Sequence, residues 1–285
     1  MLITRAEPGD KAAIAALWQE YFAFDDDGYT AFFFTDGYQA TDSYVLKNQE
    51  EIISCCSVAH HRLSLRGKIY AYAFIVGVIT VKKYQRQGYM TELLNRVLTL
   101  IKEPLVLIQG YNPEIYYPFG FRPLYRRQRV MVSTGAETKA EQHTIIPGNS
   151  ADMLKLYVQF VADKDGYAVR DRQYYDRLLR LNTAMERTCL LACDAAGEPQ
   201  SYLLGMGHQE FEVQELIYRE GAAIKPLLAK LTASRIILDE SDAEICCGPR
   251  LYEKRDELLT LVKTDDKTTE LFRKPERKLY FNEFE

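Results

Sequence analysis

Phe74-Ile-Val-Gly-Val-Ile-Thr-Val81 runs directly into Lys82-Lys-Tyr-Gln-Arg-Gln-Gly88, and then into Tyr89-Met-Thr-Glu-Leu-Leu-Asn-Arg-Val-Leu-Thr-Leu-Ile101. The first segment is a run of β-branched and aromatic residues and predicts a buried strand. The second is polar and ends on a glycine, which marks a turn. The third places Met90, Leu93, Leu94, Val97, Leu98 and Ile101 at i, i+3, i+4, i+7 spacing, the pattern of an amphipathic helix. A strand that turns tightly into a helix N-terminus presents backbone N–H groups to an anion, and the helix dipole adds about half a positive charge there. Gly88 lets a ligand approach the backbone closely. A diphosphate fits such a cradle, with the cationic side chains of Lys82, Lys83 and Arg86 beside it.

Outward from this unit, Leu2–Arg5 predicts a short strand, and Asp10 caps a helix carrying Ala13, Ile14, Leu17 and Trp18. Ile52–Val58, Arg62–Leu65 and Ile69–Val81 read as strands, the last two joined by the turn Arg66-Gly67-Lys68. Glu103-Pro104 ends the helix, Leu105–Gln109 is the next strand, Glu114–Phe121 is a short helical turn, and Val130–Val132 is a further strand. The composition then becomes polar, from Ser133 to Asp152. Beyond it the grammar repeats: helices at Ser150–Phe160 and Asp171–Leu181, strands at Cys189–Asp194, Ser201–Met206 and Phe211–Tyr218, and a helix from Gly221 to Ala233. Gly197-Glu-Pro199 is a hairpin-type turn. The expected organisation is a first domain over 1–135, a linker over 136–149, a second domain over 150–264 and a tail over 265–285.

The chain has 285 residues, 47% of them hydrophobic, which excludes wholesale disorder. Its net charge is −4, from 36 Lys plus Arg against 40 Asp plus Glu. The absence of a basic excess argues against a nucleic-acid partner or an electrostatic membrane anchor. The longest apolar stretch, Ala71 to Val81, is too short to span a bilayer, which takes about 18 residues or more. Cys55-Cys56, Cys189, Cys193 and Cys246-Cys247 lack C-x-x-C spacing, and His60, His61, His143 and His208 form no metal motif. No metal site is expected. Buried, reduced thiols in a cytoplasmic protein are the expectation.

The turn Gln85-Arg-Gln-Gly88-Tyr-Met90 resembles the pyrophosphate motif of the GNAT acyl-CoA-dependent N-acyltransferases, Arg/Gln-x-x-Gly-x-Gly/Ala, with Met90 standing where that family has a small residue. A second signature follows at the right distance in Tyr116-Tyr-Pro-Phe-Gly-Phe121. The chain resembles more narrowly the Eis-like branch, through Tyr29-Thr-Ala-Phe-Phe-Phe34 with Tyr38, the phrase Gln-Gly-Tyr-Met90, and Gly166-Tyr-Ala-Val-Arg-Asp171 with Tyr174-Tyr175. It is too short for the third, sterol-carrier-like domain of the longer members.

The resemblance implies an α+β fold of two tandem GNAT-like domains, each a mostly antiparallel mixed sheet flanked by helices. The second is a degenerate copy, since Tyr218-Arg-Glu-Gly221-Ala-Ala does not rebuild the cradle. It further implies acetyl-CoA as cosubstrate, held by Arg86, Gln87, Gly88, Tyr89, Met90 and Thr91. Backbone N–H groups around Ile79 and Val81 would hold the pantetheine arm. Transfer to a primary amine would use Tyr116 as general acid, with Tyr117 the neighbouring alternative. The terminal carboxylate of Glu285 would be the base, and Asp25, Asp26 and Asp27 would attract a cationic acceptor. Long Eis-like members assemble, so a homo-oligomer is also implied. Alternatives are another acyl donor, or a non-catalytic CoA-binding protein.

Overall fold

The computed structural model describes residues 1–22, 28–110, 112–133, 143–248 and 252–264. The chain divides into two compact units, the first comprising residues 1–125 and 259–264 and the second residues 126–258 of the described chain.

The first unit contains β1 (Leu2–Arg5), α1 (Lys11–Phe22), α2 (Tyr29–Phe32), β2 (Ser43–Asn48), β3 (Glu51–Leu65), β4 (Lys68–Thr80), α3 (Tyr89–Leu100) and β5 (Leu105–Gln109). It shares β6 (Arg122–Ser133) with the second unit. Its sheet order is β1-β2-β3-β4-β5, antiparallel except for the β4–β5 pair. Both faces are covered. On one face Leu93, Leu94 and Val97 of α3 pack on Leu46, Ile53, Cys56, Ala73, Ile75 and Ile108. On the other, Ile14 and Trp18 of α1, with Phe33 and Phe34, pack on Val45, Ile52, Cys55 and Ile79. Covering both faces explains why β3 and β4 read as nearly continuous apolar text rather than alternating. Burying each such side chain contributes about 1.5–3 kcal/mol.

The second unit contains β7 (Thr144–Pro147), α4 (Ser150–Phe160), β8 (Tyr167–Ala168), α5 (Arg172–Ala184), β9 (Thr188–Cys193), β10 (Pro199–Met206) and β11 (Glu210–Tyr218). It ends with α6 (Ile224–Ala229), β12 (Arg235–Asp239), α7 (Glu240–Cys247) and the start of β13 (Glu253–Thr264). Its sheet order is β6-β12-β11-β10-β9-β7, with only β11–β12 parallel. Asn149 and Asp171 cap α4 and α5, accepting from the amides of Asp152 and Tyr174 at 3.0 and 2.9 Å. Beneath α5, the buried Arg170 guanidinium bonds Glu215 at 2.8 Å, and Tyr202 Oη donates to the same carboxylate at 2.7 Å. Arg170 also lies over the ring of Tyr157, its Cζ 4.3 Å from the centroid.

The two units share a grammar, each a strand, turn, helix and parallel strand within an otherwise antiparallel sheet. Two of the differences between the sequence reading and the structure concern the second unit. The helix expected over Gly221–Ala233 is reduced to α6, which ends at Ala229, and the following Leu231–Ser234 turns into β12. The expected second domain runs through residue 264, whereas Leu259–Thr264 belongs to the first unit. There β13 pairs antiparallel with β5, from Thr260↔Gln109 to Thr264↔Leu105. Among the described residues no helix is long and apolar enough to cross a membrane.

Candidate active site

β4 and β5 pair only from Tyr72↔Leu105 to Ile75↔Ile108. β5 then runs one residue further, to Gln109, while β4 continues to Thr80. In the middle of this extension the β3–β4 register shifts between Cys55↔Ile79 and Ser57↔Val76. The shift is a β-bulge, and Gly77 sits in it with φ +61°. A side chain there would collide with Trp18, whose Cζ2 lies 2.0 Å from a Cβ built on Gly77. Gly77 is a residue that sequence reasoning missed. The available signal was an isolated glycine inside a β-branched run.

The register settles which β4 amides face outward. The Val81 amide, expected to hold the pantetheine arm, donates instead to the Ile53 carbonyl at 2.9 Å. Ile79 stands two residues earlier in the same register, opposite Cys55. Its amide therefore also faces β3, because backbone groups of successive residues point to opposite edges of a strand and residues two apart share one edge. This corrects both assignments. The backbone of Thr80 faces the other edge, and its carbonyl accepts from Gln85 Nε2 at 2.9 Å.

The turn that follows is built as expected of an anion cradle. Arg86 and Gly88 both take left-handed conformations, φ +61° and +89°. Such residues fold successive amides toward a common concavity. Arg86, Gln87, Gly88 and Thr91 are exposed, and Tyr89 and Met90 are half-buried in the first turn of α3. Gly88 is the N-cap, and no side chain caps the helix. Its carbonyl accepts from the Glu92 amide at 3.0 Å, so the amides of Tyr89, Met90 and Thr91 precede the first helical hydrogen bond. Nothing lies within 4 Å of a Cβ built on Gly88. The Met90 side chain packs on the α3-side core, which leaves the mouth of the cradle to its backbone. The foot of the turn is tied down: Lys83 pairs with Glu51 at 2.5 Å, Tyr84 Oη donates to the same carboxylate at 2.7 Å, and the Lys82 amide donates to Tyr21 Oη at 2.5 Å.

Tyr116 lies on a 3-10 turn, Pro113–Phe119, just after β5. It is 6% exposed and joins the core cluster that contains Cys56, Ile75 and Ile108. Burial, with a smaller contribution from the neighbouring Cys56 thiol, pushes its phenol up to about 12. Tyr117 is half-buried, and its carbonyl accepts from Arg122 Nη1 at 3.2 Å. The structure thus gathers the cradle, the unpaired end of β4 and Tyr116 within the first unit. Asp25, Asp26, Asp27 and Glu285 lie outside the described residues.

The family of acetyltransferase (GNAT) domains matches the chain over residues 3–124. The GNAT fold extends over most of the remaining chain. A GCN5-related N-acetyltransferase from Anabaena variabilis superposes with a TM-score of 0.74 at 14% identity, covering 92% of this chain and 72% of that one. Eis1 from Mycobacterium abscessus gives 0.68 at 14% identity, covering 94% and 75%. Saccharomyces cerevisiae N-myristoyltransferase, solved with bound myristoyl-CoA, gives 0.61 at 10% identity, covering 92% and 77%. No curated protein matches the chain in sequence. The chain shares the fold of these acyltransferases.

The second unit carries the same wedge in a different condition. β11 and β12 pair from Glu210↔Arg235 to Glu212↔Ile237, after which β11 continues to Tyr218. Here the β11 carbonyls beyond the ladder are engaged. Val213 O accepts from Arg129 Nη2 at 2.7 Å, and Gln214 O from Arg127 Nη2 at 3.2 Å. Arg127 also bonds Asp239 twice, at 2.9 and 3.1 Å. Downstream, a Cβ built on Gly221 would meet Ile245 Cγ2 of α7 at 2.5 Å.

Proposed function

We propose that the chain transfers the acetyl group of acetyl-CoA to a primary amine, on a small molecule or a lysine side chain, within a ternary complex. The observation that carries this reading is the continuity of the unpaired end of β4 with the uncapped, exposed N-terminus of α3. A thioester arm laid along the outward backbone of Thr80 would deliver its diphosphate to Arg86, Gln87, Gly88, Tyr89, Met90 and Thr91. Holding both substrates in one cleft removes much of the entropic barrier to amide formation.

In this reading the neutral amine attacks the thioester carbonyl, and a β4 amide stabilises the developing oxyanion. Tyr116 donates to the departing sulfur. A phenol near 12 is a weak acid toward a thiol of about 8.5 in water. Burial that raises the phenol also makes the nearby thiolate more basic, which narrows the gap. Asp25–Asp27 would draw in the cationic acceptor, and the Glu285 carboxylate would take its proton. The arginines in the second unit's wedge and Ile245 beside its turn support one acyl-CoA site per chain. The likeness to Eis1 supports placement in the Eis-like branch.

The test is amine-dependent release of free thiol from acetyl-CoA across a panel of polyamines, aminoglycosides and lysine peptides, with the mass of each product. A gain of one acetyl group on an amine is expected. Thiol release that no amine accelerates, with no acetylated product, would contradict the proposal.

A further inference from the structure

Tyr116 is carried on a seven-residue 3-10 segment with Pro118 inside it, and the poorer hydrogen-bond geometry of a 3-10 run gives it little stiffness of its own. Its phenol must therefore be fixed from outside. On one side stands Lys263 of β13, whose Nζ donates to the Phe119 carbonyl, the last of the turn, at 2.8 Å. The same Nζ lies 2.8 Å from a Cβ built on Gly120, which has φ +91°, so that glycine both makes the left-handed exit and leaves room for the ammonium. Lys263 is itself held on a rigid element. β13 pairs with β5 along five residues, and Gln109 Nε2 donates to Thr260 Oγ1 at 2.7 Å. Arg122 Nη1, at the start of β6, also reaches the Tyr117 and Phe121 carbonyls, at 3.2 and 2.6 Å.

On the other side is Gly110. A Cβ there would lie 3.0 Å from Tyr116 Cε2 and 3.5 Å from its Oη. Gly110 is not among the residues with positive φ. Its backbone suits any residue, so the missing side chain serves the ring packed against it.

We propose that Lys263 and Gly110 are positioning residues for Tyr116, so that a strand formed after the second unit sets the acid of the first. The inference rests on the role given to Tyr116 above, and it makes the first 135 residues an incomplete catalytic unit.

The experiment compares full-length wild type with Lys263→Met, Lys263→Arg and Gly110→Ala. All are labelled with tyrosine carrying ¹³C at the phenol carbon, and the Tyr116 resonance is assigned by its loss in Tyr116→Phe. Lys263→Met and Gly110→Ala should shift that resonance and bring its titration down from wild type toward the ordinary phenol range. Lys263→Arg should restore both. With acetylation of an amine as the second readout, the first two variants should lose kcat by about tenfold or more, with the acetyl-CoA KM within about twofold. A Tyr116 resonance unmoved in both Lys263→Met and Gly110→Ala would overturn the inference. If Tyr116→Phe keeps full activity, the acid role fails by itself, and the resonance still decides whether these residues position the ring.

Discussion

The molecule contains the same wedge twice, and the two copies differ in what stands opposite the last residue of the short parallel strand. In the first unit that residue is Gln109, and across from it β13 offers Thr260, a small side chain satisfied by Gln109 itself. In the second it is Asp239, and across from it β6 offers Arg129, which reaches over the strand to the Val213 carbonyl. The turns differ in the same sense. Gly88 opens onto nothing within 4 Å, whereas a Cβ on Gly221 would strike Ile245. One strand–turn–helix unit leaves its turn open, and the other spends its edge on its own arginines.

The largest effect that would sharpen this contrast is at the chemistry. Tyr116→Phe should lower kcat by about 100-fold or more while leaving the acetyl-CoA KM within about threefold, read by steady-state thiol release. A loss confined to KM would make Tyr116 a binding residue instead.

Next comes the arginine in the second wedge. Arg129→Ala removes a 2%-exposed guanidinium and leaves the Val213 and Ile237 carbonyls short of a partner, while Asp239 keeps its two bonds from Arg127. A stability loss of about 3 kcal/mol is expected in urea unfolding, with no second acetyl-CoA site gained, because Ile245 still covers the turn. A second binding event in that variant would show that the arginine alone closes the copy.

The pH profile tests the first wedge more gently. The folded state favours the neutral Tyr116 phenol, so that preference is complete below the ordinary value of about 10 and is lost as pH rises to about 12. kcat/KM should climb as the acceptor amine deprotonates, with no fall assignable to Tyr116 until near pH 12. A falling limb near 10 that vanishes in Tyr116→Phe would show an unshifted phenol.

The smallest effect concerns Met90. Met90→Ala should cost about 1–2 kcal/mol of stability from lost packing, yet leave acetyl-CoA affinity within about threefold. A large gain in affinity would mean that the side chain obstructs the cradle.

Much of this architecture was legible in the residues, for reasons that differ from place to place. The strand Phe74–Val81 and the helix after Gly88 announce themselves because burial on both faces and on one face leave different periodicities. The cradle was legible because a left-handed glycine at a helix N-cap is a local requirement. The direction of the β4 amides was not, since it depends on pairing with β3 and on a one-residue bulge at Gly77. Ile79 and Val81 were assigned outward although Val81 donates to Ile53. Lys263 and Arg129 were illegible for a related reason: each acts on a residue more than 80 positions away, through a sheet register that no local pattern encodes.

The central claim is that one wedge of the two receives acyl-CoA. Calorimetric titration of the full-length chain with acetyl-CoA, alongside Gly88→Asp and Gly221→Asp, tests it most directly. One site per chain is expected, abolished by an aspartate in the cradle of the first unit and retained with the same affinity when aspartate is placed at Gly221. Two sites in the wild type, or binding that survives Gly88→Asp and disappears in a folded Gly221→Asp, would contradict it.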